Sequence, residues 1–137
     1  MSGTPPDLGA AKLPPLPRSK FDMAAARALA DIGYPAIAPL LPRLLEWVQD
    51  ENWPVAMTLL PFLQTIGLPL EPHLRLILKT DDEPWKGIVI RNLVAPTSPL
   101  RDALRDELER LAFHPTPGER EEALDEEARS VLDTDEP

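Results

Sequence analysis

Carboxylates crowd into two short turns of this chain, and they are the side chains best suited to do chemistry. One turn is Asp50-Glu51 and the other is Asp81-Asp82-Glu83. Paired carboxylates bind hard cations or act as general acid and base. The same residue types also cap helix N-termini and complement the helix dipole. We expect capping to account for most of them, and we predict no metal site.

Tryptophans flank both turns, at Trp47, Trp53 and Trp85. A tryptophan beside an acidic turn can anchor a binding partner, or it can fill the joint between packed helices. The two roles are compatible if one face of a ring stays exposed. The candidate interaction surface combines the turns with their tryptophans: Trp47, Asp50, Asn52, Trp53, Asp81, Asp82 and Trp85.

Other residue types give little support for catalysis. The two histidines, His73 and His114, are 41 positions apart, and the chain has no cysteine. It contains no HExxH zinc motif, no glycine-rich phosphate loop and no nucleophile elbow. The sequence therefore predicts no catalytic residue and no cofactor, and it favours a protein that is not an enzyme.

The elements that carry these turns repeat along the chain. An apolar helix end, an acidic turn and a Trp/Pro pair occur at residues 44–56 and again at residues 76–87. An Ile-Gly helix stop followed by X-Pro occurs at Gly33 and again, 34 positions later, at Gly67. A period of this size with two helices per unit is typical of α-solenoids. We predict an all-α fold, a short HEAT-like superhelix of about seven helices.

Capping residues and prolines set the expected helix boundaries. Starts are expected at Asp22 for the first helix, Asn52 for the third, and Asp81 or Asp82 for the fifth. Gly33 and Gly67 supply helix stops. The second helix, over residues 35–49, should bend because Pro39 and Pro42 each remove a backbone donor.

A long amphipathic helix and a final capping helix are expected at the C-terminal end. Ser98 should cap the sixth helix, whose leucines form one apolar stripe at Leu100, Leu104, Leu108 and Leu111. The pairs Arg105–Glu109 and Asp106–Arg110 should be exposed on its surface. Thr116-Pro117 should open a seventh helix with a solvated, acidic outer face.

The termini differ in composition from the rest of the chain. Residues 1–19 hold several of the 18 prolines and little to bury, so we predict a flexible, proline-rich arm. Residues 20–133 form the predicted helical domain, and residues 134–137 form an acidic tail. We see no signal peptide and no apolar run of the ~20 residues that span a bilayer. We therefore expect no membrane partner and a cytoplasmic location.

Charge narrows the choice of partner. The net charge is −9, and 13 of the 23 acidic residues lie after Leu100. An acidic chain repels phosphate backbones, so nucleic acid is not the expected partner. A basic protein is the better prediction, although an acidic surface also serves solubility alone.

Several segments resemble a bacterial family of domains of unknown function. They include Leu44-Leu45-Glu46-Trp47, Asn52-Trp53-Pro54-Val55-Ala56 and Asp106-Glu107-Leu108-Glu109-Arg110. The resemblance covers roughly residues 20–133, and its tryptophan-containing core is the specific part. It implies a small HEAT-like helical domain with no assigned activity, so there are no catalytic residues to carry over.

Two functions from different classes follow. The first is a non-catalytic protein-interaction module, for example an immunity-type neutraliser that covers the active site of a basic toxic enzyme. The alternative is an enzyme: a HEAT-like protein that processes nucleic acid, or a carboxylate-based metal or hydrolase site at the Asp50 and Asp81 turns. The nucleic-acid alternative requires a basic concave face that gathers Arg43, Arg75, Lys79 and Arg91.

Overall fold

The computed structural model describes residues 13–134, and all regular elements in this range are helical, as predicted. None of these helices has the length and apolar character needed to cross a membrane. The α-helices of this range are α1 (Met23–Ile32), α2 (Leu41–Glu46), α3 (Pro54–Ile66), α4 (Glu71–Leu78), α5 (Glu83–Val89), α6 (Ser98–Ala103), α7 (Arg105–Phe113), α8 (Pro117–Glu121) and α9 (Leu124–Thr134). Short 3-10 segments cover Ala38–Leu40 and Leu68–Leu70, and a π-helical segment covers Ile90–Val94.

The contacts divide the chain into two compact units, the first ending at Phe62 and the second starting at Leu63. Fully buried leucines dominate the first core, which is built from Ala26, Leu29, Ile37, Leu41, Leu44, Leu45, Val48, Val55, Ala56, Leu59 and Leu60. In the second unit α9 packs on α7. The predicted leucine stripe is buried there, at Leu100, Leu104, Leu108 and Leu111.

Capping explains where several helices begin and end. The backbone N–H of Ala25 donates to the Asp22 carboxylate (3.3 Å) at the start of α1. Gly33 and Gly67 have φ values of 79° and 73°, a left-handed backbone that glycine adopts without strain. These starts and stops agree with the sequence. The cap of α3 differs, because Trp53 rather than Asn52 precedes Pro54, and the Trp53 carbonyl accepts from Met57 N–H (3.1 Å).

Prolines shape the segment before α2. The chain forms a 3-10 turn over Ala38–Leu40, and the α-helix begins only at Leu41. Pro39 and Pro42 each lie at the start of their element, where no intrahelical N–H bond is required. The expected helix over residues 35–49 is therefore shorter, and it ends at Glu46.

Two expected helices are divided, which gives nine α-helices in residues 13–134 instead of about seven. The sixth is interrupted at Leu104, where φ is −104° and ψ is 14°. Its start is preceded by Thr97 rather than capped by Ser98. The seventh is interrupted at Ala123, whose φ of 59° lies in the left-handed region. Neither break has a glycine or proline to mark it in the sequence.

Replacing Ala123 with glycine is expected to raise the free energy of unfolding by about 1 kcal/mol, because a side chain strains a left-handed backbone. Chemical denaturation of the two proteins measures the difference. The control is Ser130→Gly in α9, which should instead destabilise by about 0.5 kcal/mol. Equal losses in the two variants would contradict the strain argument.

The described part of the predicted arm makes contacts. Pro17 is buried, and Leu13 and Leu16 are half-buried. The Lys20 carbonyl accepts a hydrogen bond from Val55 N–H (3.0 Å), which connects the end of this segment to α3. Residues 1–12 of the arm and residues 135–137 of the predicted tail lie outside the described range.

Two truncations distinguish the contribution of residues 1–12 to stability from that of residues 13–19. Removing residues 1–12 is expected to change the melting temperature by no more than a few degrees. Removing residues 1–19 should lower it by about 5 °C, because the burial of Pro17 and its neighbours is lost. Differential scanning calorimetry of both proteins is the measurement, and equal melting temperatures would show that this burial contributes nothing.

Candidate functional site

The tryptophans of the first unit lie together, as an edge-to-face pair. The ring centroids of Trp47 and Trp53 are 5.9 Å apart, with an interplanar angle of 67°. Trp47 follows the last residue of α2 and Trp53 precedes the first residue of α3. The two rings therefore belong to the ends of a single turn.

The backbone of this turn is held by its own hydrogen bonds. The N–H of Gln49 donates to the Glu46 carbonyl (3.3 Å), and the N–H of Trp53 donates to the Asp50 carbonyl (3.1 Å). The Asp50 carboxylate accepts from Asn52 N–H (2.9 Å), the usual role of aspartate in a tight turn. Asp50 and Asn52 thus stabilise the turn that joins the two tryptophans.

A cleft of about 230 Å³ opens beside the tryptophan pair. We call it the tryptophan cleft, and its lining residues are Arg43, Glu46, Trp47, Gln49 and Trp53. Both tryptophans are half-buried. Arg43 and Glu46 form an ion pair of 3.5 Å whose side chains are 63% and 56% exposed. The cleft combines aromatic surface with one charge of each sign.

Replacing Trp53 with alanine is expected to cost about 2–3 kcal/mol of stability, somewhat less than the ~3–5 kcal/mol of a fully buried tryptophan. The cost is lower because Trp53 is only half-buried. It is still substantial because the variant loses the contact between Trp53 and Trp47. Urea denaturation is the measurement. A loss below about 0.5 kcal/mol would mean that Trp53 has no packing role.

The remaining candidate residues lie in the second unit, in the turn between α4 and α5 and in the first turn of α5. Asp82 caps α5, accepting from Trp85 N–H (3.1 Å). Asp81 is exposed, and its carbonyl accepts from Glu83 N–H (3.1 Å). Trp85 is half-buried in the first turn of α5. Capping therefore accounts for Asp82.

A group of charged residues that the sequence did not single out lies inside the second unit. Lys86, Glu107 and Glu119 are only 2%, 5% and 1% exposed. With Arg110 they form what we call the buried charge cluster. Lys86 Nζ is 2.7 Å from Glu119 Oε2, and Arg110 Nη2 is 2.9 Å from the same oxygen. The cluster connects α5, α7 and α8.

Glu119 is the centre of this cluster. Its Oε1 accepts from Thr116 N–H (2.8 Å) and from Arg110 Nη1 (3.1 Å), while Thr116 Oγ1 accepts from Glu119 N–H (3.1 Å). Burial by itself raises the pKa of Glu119, but the hydrogen bonds from Arg110, Lys86 and Thr116 outweigh it and lower the pKa to about 2. Glu119 is therefore ionised under all ordinary conditions.

The ion pairs continue outward from the cluster to α4. Lys79 pairs with Glu107, and Arg110 Nε lies 3.3 Å from Glu107 Oε1. Arg75 bonds Asp106 (2.8 Å) and Glu71 (2.7 Å). The hydrogen bond to Asp106, followed by the one to Glu71, raises the pKa of Arg75, and its guanidinium holds the pKa of Asp106 below the usual value.

This network corrects two expectations. Asp106 and Arg110 were expected to pair with each other on an exposed face, but each pairs with a different helix. Glu119 was expected on a solvated face of the last helix, but it is buried. The sequence did contain signals for both buried residues. Thr116 and Glu119 have capping-box spacing, and Lys86 lies within the apolar run from Trp85 to Ile90.

A second cleft, of about 280 Å³, lies over the cluster. Its lining is mostly polar: Leu78, Lys79, Thr80, Asp81, Glu83, Lys86, Arg110, Thr116 and Glu119. Gly118 lies close to Glu83, one of the lining residues, since a Cβ atom at position 118 would be 3.2 Å from the Glu83 carboxylate. Glu83 Oε2 in turn lies 3.7 Å from Lys86 Nζ. The charges that line this cleft are largely paired with one another, so their evident role is to join helices.

The sites considered for catalysis are dispersed. His73 is half-buried in α4. His114 is exposed at the end of α7, where its backbone N–H donates to the Arg110 carbonyl (2.7 Å). Among residues 13–134 there is no group of three or more His, Cys, Asp or Glu side chains placed to hold a metal ion. The arrangement instead offers an aromatic cleft in the first unit and an ion-paired scaffold in the second.

These features define a small all-helical domain with a tryptophan turn and an internal ion network. A family described as a domain of unknown function, DUF5071, matches residues 15–132. Because the match covers most of the chain, the chain belongs to this family, which agrees with the resemblance found in the sequence. A comparison with curated proteins finds no match.

Proposed function

We propose that this chain is a non-catalytic protein-interaction module that binds a basic protein. The observation that supports the proposal most is how charges are sorted in the second unit. Its exposed acids include Asp102, Glu109, Glu121, Glu122, Glu126 and Asp133. Within residues 13–134 no ion pair engages these six side chains, whereas Arg75, Lys79, Lys86 and Arg110 are each paired with carboxylates.

This sorting gives the surface a negative potential that internal ion pairs do not cancel. A negative surface accelerates the encounter with a positively charged protein, and the association rate then falls as salt increases. Part of the surface is apolar as well, since Leu76 and Phe113 are 67% and 62% exposed. Such a surface suits recognition of a protein rather than of a small ion.

The role we propose is that of an immunity-type neutraliser in the cytoplasm, which covers the basic active site of a toxic enzyme. We further propose that the helices stack as a HEAT-like superhelix. The 34-residue spacing from Gly33 to Gly67 and the 32-residue spacing from Trp53 to Trp85 support this arrangement. Stacked helix pairs provide an extended surface for a partner.

The test is affinity capture from a lysate of the native cells at low and high salt, followed by kinetic measurement on the captured partner. A variant with Glu109, Glu121, Glu122 and Glu126 all changed to glutamine should associate about tenfold more slowly at low salt. The control is Arg120→Gln, which removes an exposed cation and should not slow association.

Three outcomes would contradict the proposal. The first is equal association of the wild type and the glutamine variant. The second is tight, salt-insensitive retention of duplex DNA, which would favour the nucleic-acid alternative. The third is a metal ion bound at stoichiometric level with hydrolytic activity, which would favour a carboxylate site.

A further inference from the structure

We infer that the tryptophan cleft is a receptor for an arginine side chain of the protein partner. This inference rests on the proposed function, because it identifies one contact through which a basic protein would be held. It concerns the first unit, whereas the acidic surface described above belongs to the second. The two can therefore be tested separately.

The aromatic part of the cleft suits a planar cation. Trp47 and Trp53 meet edge to face at an angle of 67°, so their contact covers one face of one ring, and a cation would stack on a face that this contact leaves uncovered. Both residues are half-buried, and both line the cleft. A guanidinium over an indole face is attracted by the ring quadrupole, and tryptophan is the strongest partner for this contact.

The polar part of the cleft supplies acceptors for the same group. Glu46 lines the cleft, and the Gln49 side chain has an amide oxygen that can accept a second bond. Arginine donates through a rigid fork that matches a carboxylate, which lysine cannot do. The Asp50 carboxylate, in the same turn, adds negative potential nearby.

Arg43 shows that a guanidinium is accommodated beside these residues. Its Nε lies 3.5 Å from Glu46 Oε1, and both side chains are more than half exposed. An exposed pair of this kind contributes little to stability, so an incoming arginine can take its place at small cost. Arg43 is then free to turn toward solvent or toward an acidic group of the partner.

The backbone beside the cleft is held in place, and an exposed methionine follows it in the chain. The hydrogen bonds within the turn fix the backbone that carries the two tryptophans, which reduces the entropy lost on binding. Met57 lies one helical turn beyond Trp53 and is 63% exposed. A partner segment with an apolar residue next to its arginine could cover Met57 at the same time.

The experiment is a titration of the isotope-labelled chain with the peptide acetyl-Gly-Leu-Arg-Gly-amide, followed by NMR of the indole Nε1–H signals. Trp47→Phe and Trp53→Phe assign the signals. We expect the signals of Trp47 and Trp53 to shift. The matched peptide with citrulline, which is planar but neutral, should bind about fivefold more weakly because it lacks the cation.

Two variants test the assignment of roles. Glu46→Gln should weaken binding of the arginine peptide about threefold, while Asp31→Asn, which removes an exposed acid of the same unit, should leave it unchanged. Trp53→Leu should weaken binding about tenfold or more. If Trp53→Leu does not fold, the comparison of Glu46→Gln with Asp31→Asn still decides the inference.

The outcomes separate this inference from the proposed function. Equal binding of the arginine and citrulline peptides, or tighter binding of a glutamate peptide to Arg43, overturns the inference. So does a peptide that shifts only signals of the acidic second unit, and that result leaves the proposed function standing. If neither basic peptides nor the captured partner bind at low salt, the proposed function fails as well.

Discussion

Replacing Glu119 with glutamine is expected to lower the free energy of unfolding by about 3–5 kcal/mol. Glutamine keeps the shape of the side chain but removes the charge that Lys86 and Arg110 share. Lys86 would then be a nearly fully buried cation whose other carboxylate, Glu83, is 3.7 Å away. Breaking one side of a buried ion pair is strongly destabilising for this reason. Urea denaturation at neutral pH is the measurement.

The control is Glu122→Gln, three positions later and exposed, which should change stability by no more than about 0.5 kcal/mol. A double variant adds a sharper comparison. Changing Lys86 to methionine together with Glu119 to leucine removes both charges of this ion pair, and it should recover a large part of the loss. If the double variant is less stable than Glu119→Gln alone, the penalty does not come from the unpaired Lys86.

Acid is expected to remove about 3 kcal/mol of stability through Glu119 alone. The pKa of this residue is lowered from 4.5 to about 2 in the folded chain. A lowered folded-state pKa means that the stabilisation is complete above pH 4.5 and is lost progressively as the pH falls toward 2. The size follows from about 1.4 kcal/mol for each unit of pKa difference.

The measurement is the free energy of unfolding of wild type and Glu119→Gln at several pH values between 6 and 2. Other carboxylates titrate in the same range, so the difference between the two proteins carries the information. The difference in free energy of unfolding between the two proteins, several kcal/mol at pH 6, should become smaller as the pH falls. Parallel curves would show that Glu119 does not titrate in this way.

Local signals in the sequence were sufficient for much of the helical structure. Asp22 and Asp82 cap helices because a short carboxylate can reach the free N–H groups of the first turn. Gly33 and Gly67 end helices because glycine accepts a positive φ. The leucine stripe from Leu100 to Leu111 is buried because its spacing follows the helical period.

The breaks and the buried charges depend on contacts between distant residues. Ala123 has no intrinsic preference for a left-handed backbone, so its conformation is imposed by the packing of its neighbours. Arg110 and Asp106 have suitable partners within α7, but Glu119 and Arg75 hold them more effectively. Sequence spacing ranks the local partner first, because it carries no information about helices that meet in space.

For the candidate interaction residues too, some features could be predicted from the sequence and others depend on the fold. The sequence located the Trp47–Trp53 turn, because composition and spacing mark it. The edge-to-face geometry of the rings and the contribution of Arg43, Glu46 and Gln49 to the cleft depend on the tertiary structure. Residue type alone predicts solvated positions for Lys86 and Glu119, because charged residues are usually exposed, and the fold decides whether such a pair is buried.

Because Gly118 lies close to Glu83, the effect of a substitution at either position is expected to depend on which of the two is changed first. Any side chain at position 118 would press on the Glu83 carboxylate, and that carboxylate supports Lys86. A side chain at 118 therefore requires the Glu83 carboxylate to move by a few tenths of an ångström, and this movement is not needed once residue 83 has been shortened. The effect of a substitution at position 118 is thus expected to depend on the residue at position 83 and, through it, on the contact with Lys86.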